Sequence, residues 1–340
     1  MSVKVCVLGG GGWGTAISIL LAGKGDEVTL WTRREEHARA MAEERCNRDY
    51  LPGVMLPRTL HITSDMERAV EGAEFLVVAV PSHGVRDVLR RLPRTKIEMV
   101  IVSLTKGIEV DTLLRMSEVI VQETGTSPRK VAVLSGPNFA LEVARGLPTA
   151  SVAACVDEDT ARRVQDAFMT ERFRVYSHTD ALGVELGGAL KNIYAIGVGI
   201  IDGMNIGQNA RAAFMTRSVA ELARLGLKMG ANPLTFAGLS GLGDLVLTCT
   251  GELSRNRRCG LLLGQGKRLE EVLGETRLVV EGVNTTRAAR RLAAREGVAM
   301  PIVEQIHSIL FEGAHPGRCL DSLMTRMKRR ELEELVFEQS

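Results

Sequence analysis

The sequence predicts an α/β domain built on a doubly wound parallel sheet, followed by an all-α C-terminal domain. Up to about residue 180, short apolar runs alternate with longer amphipathic segments, which is the order of strands and helices in a parallel sheet. After that point long amphipathic segments follow one another, with one further short strand pattern at Arg277–Val280. Because a domain holds roughly 100–200 residues, we divide the chain into domains at residues 1–180 and 181–340.

The strands of the first domain are predicted where runs are continuously apolar and β-branched, as in strands buried on both faces. They are Val3–Leu8, Glu27–Trp31, Phe75–Val80, Met99–Ser103, Lys130–Leu134, Ser151–Val156 and Phe173–Tyr176. The helices between them are predicted at Trp13–Gly23, Glu35–Glu44, Val85–Leu92, Asp111–Glu123, Phe139–Arg145 and Thr160–Phe168. Those of the second domain are predicted at Leu182–Ile201, Arg211–Lys228, Arg255–Leu263, Thr285–Glu296, Ile302–Glu312 and Leu320–Leu335.

The composition is that of a soluble globular protein, with 45% apolar residues, 25% charged residues and a net charge of +2. Acidic residues balance the basic ones, so nucleic-acid binding is not expected. The six cysteines show no zinc-ligand spacing, which favours a reduced, cytoplasmic protein without a metal site. The 35 glycines, about a tenth of the chain against a usual ~7%, indicate places where φ is positive or where another group approaches the backbone.

Neither a signal peptide nor a membrane helix is expected. The N-terminal apolar run ends after a few residues at Gly9, without the longer apolar region and cleavage site of a signal peptide. The most apolar later stretch, Ile193–Ile201, is interrupted by glycine and is shorter than the ~20 residues that span a bilayer. We therefore expect no membrane insertion.

A glycine-rich loop follows the first predicted strand directly and opens an apolar helix. Gly9, Gly11 and Gly14 fit the pattern Gly-x-Gly-x-x-Gly in the context that gives it meaning. The first glycine allows the tight turn, the second lets a pyrophosphate approach the backbone, and the third lets helix and strand pack closely. The loop therefore predicts a Rossmann-type dinucleotide site, with the anion held by amides at the helix N-terminus.

The residues after the second strand predict which dinucleotide binds. A site specific for NAD usually places an acidic residue there to bind the ribose 2′-hydroxyl. This chain instead has Arg33 and Arg34, which suit a 2′-phosphate, although Glu35 and Glu36 follow at once. NADP(H) is therefore favoured, and NAD(H) remains the alternative.

Ligands of open α/β sheets bind beyond the carboxyl ends of the strands. Lys106 lies there after the fourth strand and can neutralise an anionic substrate. Ser135–Ala140 lies there after the fifth strand and places backbone amides at the start of a helix, where they suit an anion or a carboxamide.

The first helix of the second domain carries an unusual stripe. Glycines in a helix interior cost about 1 kcal/mol each relative to alanine, so several together need a reason. Gly188, Lys191, Asn192, Ala195 and Gly199 share one face at helical spacing. One interpretation is a face against which a ligand presses, with Lys191 as a proton donor or acceptor. The alternative is close helix packing with Lys191 reaching outward.

Two further segments predict contacts to an anionic substrate. Gly238–Gly243 is a second glycine-rich turn, and it ends at the carboxylate of Asp244. Ser254 is a predicted helix N-cap followed by Arg255, and a helix N-terminus that carries arginine suits a phosphate.

In this order and spacing, the motifs resemble those of bacterial NAD(P)-dependent glycerol-3-phosphate dehydrogenase, over about residues 3–325. The matching segments are Gly9–Ala16, Leu104–Glu109, Leu134–Pro137, Phe139–Ala144, Gly188–Asn192, Gly241–Asp244, Ser254–Asn256 and Val279–Gly282. The resemblance implies a Rossmann domain with a helical substrate domain. It also implies reversible reduction of dihydroxyacetone phosphate to sn-glycerol 3-phosphate for glycerophospholipid synthesis. We further expect the protein to be a cytoplasmic homodimer.

The resemblance also implies residue roles. Lys191 is implied as the proton donor or acceptor. Our own hypothesis is that Lys191 protonates the developing alkoxide, with Asn192 and Asp244 orienting it. Contacts to the nicotinamide dinucleotide are implied for Gly12, Trp13, Arg33, Lys106, Ala140, Arg255, Val279 and Glu281. Contacts to the substrate are implied for Lys106, Gly136, Asn138, Lys191, Asp244, Ser254, Arg255 and Asn256. The chain departs from the family at Gly12, where Ser or Ala is usual, and at Asn138, where Ser or Thr is usual.

Two other functions fit part of the pattern. A dehydrogenase of the same two-domain plan that acts on a hydroxy acid or a sugar phosphate would share the dinucleotide loop, but the Ser254–Asn256 set favours a phosphate over a carboxylate. A non-catalytic dinucleotide-binding regulator would keep Gly9–Gly14 but would not need Lys191 and Asp244.

Overall fold

The computed structural model describes residues 2–93, 98–275 and 278–327, and it separates into two compact units. The first unit combines Met1–Lys106 with Arg115–Ala181, and the second combines Gly107–Leu114 with Leu182–Ser340. Residues 107–114 therefore do not belong to the first domain, where the sequence pattern places them. The reason is burial: Ile108 is 1% exposed within the core of the second unit.

An eight-stranded sheet forms the centre of the first unit, in the order β10-β9-β8-β7-β6-β1-β2-β5, and β3 and β4 form a separate hairpin. The strands are β1 (Lys4–Leu8), β2 (Glu27–Trp31), β3 (Cys46–Asn47), β4 (Leu51–Met55), β5 (His61–Thr63), β6 (Phe75–Val78), β7 (Val100–Ser103), β8 (Val131–Ser135), β9 (Thr149–Ala154) and β10 (Phe173–His178). The seven predicted strands are confirmed within a few residues. The strands β3, β4 and β5 were not predicted, because β3 and β5 are too short to show a periodic pattern and β4 contains Pro52 and Gly53, which are unfavourable in strands.

One pair of neighbours corrects the prediction of a parallel sheet. Strands β8 and β9 run antiparallel, with Leu134 opposite Ala153, whereas the other pairs of this sheet are parallel. The connection between them carries a helix of only five residues, Ala140–Ala144. Such a helix rises about 7.5 Å, less than the length of the strand, so it does not return the chain for a parallel crossover.

Helices cover the sheet of the first unit. They are α1 (Gly12–Lys24), α2 (Glu35–Glu44), α3 (Met66–Val70), α4 (Val85–Leu89), α5 (Met116–Thr124), α6 (Ala140–Ala144) and α7 (Glu158–Phe168). Helix α5 begins at Met116, not at the predicted Asp111. The amide of Glu109 donates to the carbonyl of Leu114 (2.9 Å), and Leu113 has a left-handed φ of 61°, so the intervening residues form a turn.

The second unit is helical, as predicted. Its helices are α8 (Ala181–Gly203), α9 (Gln208–Lys228), α10 (Asp244–Thr250), α11 (Arg255–Gly264), α12 (Leu269–Gly274), α13 (Glu281–Glu296), α14 (Pro301–Phe311) and α15 (Pro316–Met324). Residues 278–280 lie in no strand, and residue 277 of that predicted strand lies outside the described residues. Helix α15 begins earlier than predicted, and residues 328–335 of the prediction also lie outside the described part.

Helix α8 lies at the centre of the second unit. Among the described helices it is the one that is long and apolar enough to cross a membrane. The sequence pattern had singled out only its apolar part Ile193–Ile201, which is too short to do so. Its most apolar window of 18 residues is 100% buried within the fold, as in a core helix.

Glycines allow α8 and α11 to touch backbone to backbone. A Cβ atom at Gly199 would collide with the carbonyl of Arg257, and one at Gly203 with the carbonyl of Leu261. From the other side, a Cβ atom at Gly260 would collide with the carbonyl of Ile196. Part of the glycine surplus therefore serves helix packing. Gly199, one of the five residues of the predicted α8 stripe, therefore packs against α11 and does not face a ligand.

A buried carboxylate joins two other helices of this unit. Glu221 of α9 is 1% exposed, and it accepts hydrogen bonds from the amides of Ile302 (2.9 Å) and Val303 (3.0 Å) in the first turn of α14. Burial raises the pKa of Glu221 to about 7, against the opposing effect of the two amide hydrogen bonds.

Candidate dinucleotide and proton-transfer sites

The glycine-rich loop has the geometry of an anion cradle. Gly9 has a φ of 124°, and a Cβ atom there would lie 2.8 Å from the carbonyl oxygen of Ala79. A Cβ atom at Gly14 would collide with the carbonyl of Gly9, so the third glycine is needed for packing. At Gly11, by contrast, a Cβ atom would meet nothing within 4 Å. The loop is thus tightly packed below and open at the position where a pyrophosphate would approach the start of α1.

Three of the implied dinucleotide residues lie around this opening. A Cβ atom at Gly12 would lie 2.8 Å from the carbonyl oxygen of Tyr50 and 3.8 Å from the Cβ of Ala140. The space that Ser or Ala would need at residue 12 is therefore occupied by the β3–β4 hairpin. The indole nitrogen of Trp13 is buried and has no hydrogen-bond partner among the described residues. Such an orphan donor fits a loop that is completed by a polar ligand.

The two arginines lie where the second strand ends. Arg33 and Arg34 are both exposed, and Arg34 immediately precedes α2. The guanidinium of Arg34 lies 3.6 Å from the carboxylate of Asp49, in the β3–β4 connection. Arg33 is the better candidate for a 2′-phosphate, since Arg34 is already paired with that exposed acid.

Lys106, Gly136 and Asn138 come together at the carboxyl edge of β7 and β8. The ammonium of Lys106 donates to the carbonyl of Gly136 (3.0 Å) and to Oδ1 of Asn138 (2.8 Å). Asn138 is itself fixed, because its Nδ2 donates to Oγ of Ser151 (2.9 Å). The side chain of Asn138 therefore holds Lys106 in place. A Ser or Thr side chain is shorter and would not hold Lys106 through the same pair of hydrogen bonds.

The second unit holds a buried group of three polar side chains. Nζ of Lys191 donates to Oδ1 of Asp244 (2.7 Å) and to Oγ1 of Thr248 (2.6 Å), and that hydroxyl lies 3.2 Å from the same carboxylate oxygen. Lys191 is 6% exposed and Asp244 is 1% exposed. The alternative interpretation required Lys191 to reach outward into solvent, and it does not. An ammonium has three protons, and two of them point to these acceptors.

The second glycine-rich turn presents Asp244 to the lysine. Residues Leu239–Gly243 form a single π-type turn, and Asp244 is the first residue of α10. A Cβ atom at Gly187 would lie 2.7 Å from the carbonyl oxygen of Ser240, so this turn packs directly on the backbone of α8. Burial raises the pKa of the adjacent Cys249 thiol to about 12, which leaves the thiol neutral beside the ion pair.

A chain of hydrogen bonds connects the lysine helix to two helix N-termini. Nδ2 of Asn256 in α11 donates to Oδ1 of Asn192 (2.9 Å), and Oδ1 of Asn256 accepts from the amide of Gly282 (2.9 Å). The predicted N-cap is confirmed, since Oγ of Ser254 accepts from the amide of Arg257 (3.2 Å). Of the remaining implied residues, Arg255 is exposed at the start of α11, Glu281 begins α13, and Val279 lies two residues before Glu281.

The sequence patterns assigned no role to Thr248, which follows the second glycine-rich turn, and they missed Asp202. Thr248 lies four residues after Asp244 on the same helix, and this spacing is the signal that pairs them. Asp202 of α8 binds the guanidinium groups of Arg211 and Arg257 (2.7 Å for Arg257), and it so ties the start of α11 to α8. In the described part of the chain, no group of three or more His, Cys, Asp or Glu side chains is arranged to hold a metal ion.

The fold and the glycine loop define the class: a Rossmann-type dinucleotide-binding protein with a helical second domain. Two family profiles cover most of the chain, the N-terminal one of NAD-dependent glycerol-3-phosphate dehydrogenase over residues 4–161 and the C-terminal one over residues 180–321. The chain therefore belongs to the NAD(P)-dependent glycerol-3-phosphate dehydrogenase family, a family of oxidoreductases.

Individual relatives agree with this assignment. The glycerol-3-phosphate dehydrogenase [NAD(P)+] of Pelotomaculum thermopropionicum is 55% identical over 99% of this chain and 97% of its own length. That of Moorella thermoacetica is 52% identical over 98% of this chain and 99% of its own. Among solved structures, the glycerol-3-phosphate dehydrogenase of Coxiella burnetii is 38% identical and has a TM-score of 0.90, covering 96% of this chain and 99% of that one.

Proposed function

We propose that this chain catalyses the reversible, NAD(P)-dependent reduction of dihydroxyacetone phosphate to sn-glycerol 3-phosphate. The observation that carries the proposal is the buried Lys191–Asp244–Thr248 group in a member of this family. A reduction of a ketone to an alcohol needs a hydride and a proton. A bound reduced nicotinamide would supply the hydride, and this chain must supply the proton and hold the substrate.

Lys191 is the proposed proton donor or acceptor. Asp244 and Thr248 accept two of its protons and fix the ammonium, so the third proton is free to be directed at the developing alkoxide. Asp244 also balances the charge of the buried lysine, which keeps the ammonium stable inside the fold. Asn192 is held by Asn256 and is proposed to orient the substrate beside the lysine.

The substrate phosphate and the dinucleotide are proposed to bind at helix starts and at the glycine loop. Ser254, Arg255 and Asn256 would bind phosphate at the start of α11, where amides and a guanidinium coincide. Lys106, Gly136 and Asn138 are the proposed substrate residues of the first unit. The proposed dinucleotide residues are Gly9, Gly11, Gly12, Trp13, Gly14, Arg33, Arg34, Lys106, Ala140, Arg255, Val279 and Glu281.

NADP(H) is the favoured cofactor in this proposal, and NAD(H) is the alternative. Arg33, exposed at the end of β2, supports NADP(H), because guanidinium binds phosphate bidentately. The same proposal places the protein in the cytoplasm as a homodimer that supplies glycerophospholipid synthesis.

The decisive experiment follows NADPH oxidation and NADH oxidation separately with dihydroxyacetone phosphate. If neither NADPH nor NADH is oxidised, the proposed function is refuted. In the same assay, Lys191→Ala should keep its affinity for the dinucleotide and lose most of kcat, since general acid catalysis contributes about 10²–10⁴-fold. Turnover of Lys191→Ala near that of the wild type would contradict the assignment of the proton donor.

A further inference from the structure

A polar network below the glycine-rich loop is centred on His37 of α2. Its Nδ1 lies 3.1 Å from Oγ1 of Thr32, and its Nε2 lies 3.2 Å from Oδ1 of Asn47. Nδ2 of Asn47 donates to the carbonyl of Gly10 (2.9 Å) and to Oγ1 of Thr15 (2.8 Å). Thr32 is 6% exposed, and Asn47 and Thr15 are fully buried.

The partners determine which atoms carry protons. The carbonyl of Gly10 can only accept, so the amide nitrogen of Asn47 must face it and Oδ1 must face His37. Oδ1 also accepts from the amide of Tyr50 (3.3 Å), which agrees with this orientation. Nε2 of His37 therefore donates to Asn47, and Nδ1 accepts the hydroxyl proton of Thr32. The donors run in one direction, from the end of β2 to the glycine loop.

This direction matters because of the peptide that follows Gly10. In a planar trans peptide the carbonyl and the next amide point in opposite directions. When Asn47 holds the carbonyl of Gly10 on the buried side, the amide of Gly11 points away from Asn47. Gly11 is the open position of the loop. Gly10 itself lies against the ring, since a Cβ atom there would be 3.4 Å from Cε1 of His37.

We propose that His37 is a positioning residue for the dinucleotide: acting through Asn47, it fixes the peptide whose amide binds the pyrophosphate. This role rests on the proposed function, because it needs a dinucleotide in the loop. The pyrophosphate is common to NADPH and NADH, so His37 should affect both equally. Its first partner, Thr32, directly precedes Arg33, and the network so connects the ribose end of the site with the pyrophosphate end.

The test compares substitutions that keep or remove the donor to Asn47. His37→Leu removes it. His37→Asn keeps a polar side chain that is too short to reach Asn47, and His37→Gln places an amide nitrogen where Nε2 lies. The exposed histidine of β5 provides the matched control, His61→Leu. Dissociation constants for NADPH and NADH are measured by quenching of the fluorescence of Trp13 and Trp31, which needs no turnover. Steady-state rates with dihydroxyacetone phosphate then separate KM from kcat.

We expect His37→Leu and His37→Asn to weaken both dinucleotides by about tenfold, which is about 1.4 kcal/mol, with kcat at saturation nearly retained. His37→Gln and His61→Leu should have dissociation constants for both dinucleotides within about twofold of those of the wild type. Unchanged binding in His37→Asn would overturn the proposal, as would a loss confined to NADPH, because the 2′-phosphate would then be the group affected. If the wild type and all variants fail to turn over dihydroxyacetone phosphate, the proposed function fails, but the binding titration still decides the role of His37.

Discussion

Substituting Gly260 by alanine tests whether the contact between α8 and α11 is needed for both stability and substrate binding. Real Cβ atoms essentially never approach another heavy atom more closely than 3.0 Å. A Cβ atom added at Gly260 would lie about 1 Å closer than this to the carbonyl oxygen of Ile196. Neither atom is on a flexible side chain, so the helices must separate. Overpacking of this kind costs about 1–3 kcal/mol, and the strain must exceed the ~1 kcal/mol that alanine gains over glycine as a helix former.

We expect a net loss of about 1 kcal/mol in the free energy of unfolding of the second unit, seen as a melting temperature lower by roughly 2–4 °C. The control is Gly23→Ala, because Gly23 lies in α1 with nothing within 4 Å of an added Cβ atom. That variant should be equally or more stable than the wild type, by up to ~1 kcal/mol.

The same separation should reach the proposed substrate site. Asn256 lies one turn before Gly260, and its hydrogen bond to Asn192 (2.9 Å) crosses the interface. An opening of about 1 Å would stretch this bond beyond the usual 3.2 Å limit. The KM for dihydroxyacetone phosphate should therefore rise in Gly260→Ala and stay unchanged in Gly23→Ala. A Gly260→Ala variant that melts at or above the wild-type temperature would refute the packing argument.

Two other predictions concern buried groups of the second unit. Because the pKa of Glu221 is raised to about 7 in the folded protein, from 4.5 when unfolded, its contribution to stability is fully present below about pH 4.5 and is lost as the pH rises through 7. The wild type should lose on the order of 3 kcal/mol over this range from this group, and Glu221→Gln should remove that slope; equal slopes in melting temperature against pH would contradict the burial argument. Thr248→Val removes the hydroxyl that accepts from Lys191, so kcat should fall about tenfold, with dinucleotide KM unchanged and with activity kept in Thr248→Ser. Wild-type kcat in Thr248→Val would show that Asp244 alone holds the ammonium.

Much of the first unit follows from local pattern. Runs such as Phe75–Val78 are continuously apolar because both faces of the sheet are covered, so these strands could be located from the local sequence pattern. The first and third glycines of the loop are likewise determined locally, by a positive φ at Gly9 and by the close approach of Gly14 to the carbonyl of Gly9. By contrast, the antiparallel pairing of β9 was not predictable, because strand direction depends on the path of a connection and not on the strand itself.

The group of Lys191, Asp244 and Thr248, by contrast, depends on contacts between residues far apart in the chain. Lys191 could be singled out from its own helix, yet Asp244 and Thr248 lie 53 and 57 residues further along the chain. Only the packing of the π-type turn on α8 brings them together. The transfer of residues 107–114 to the second unit and the partners of Asn138 are of the same kind.

The sequence by itself therefore determined seven of the ten described strands, most helices, the dinucleotide loop and the identity of the candidate lysine, because each depends on neighbours within a few residues. Only the tertiary structure decided that the glycines of α8 receive α11, that Lys191 is buried against an acid and a hydroxyl, and that His37 reaches the loop through Asn47. These contacts join residues far apart in the chain, and the free energy that fixes them comes from burial and hydrogen bonding between elements, which no local pattern contains.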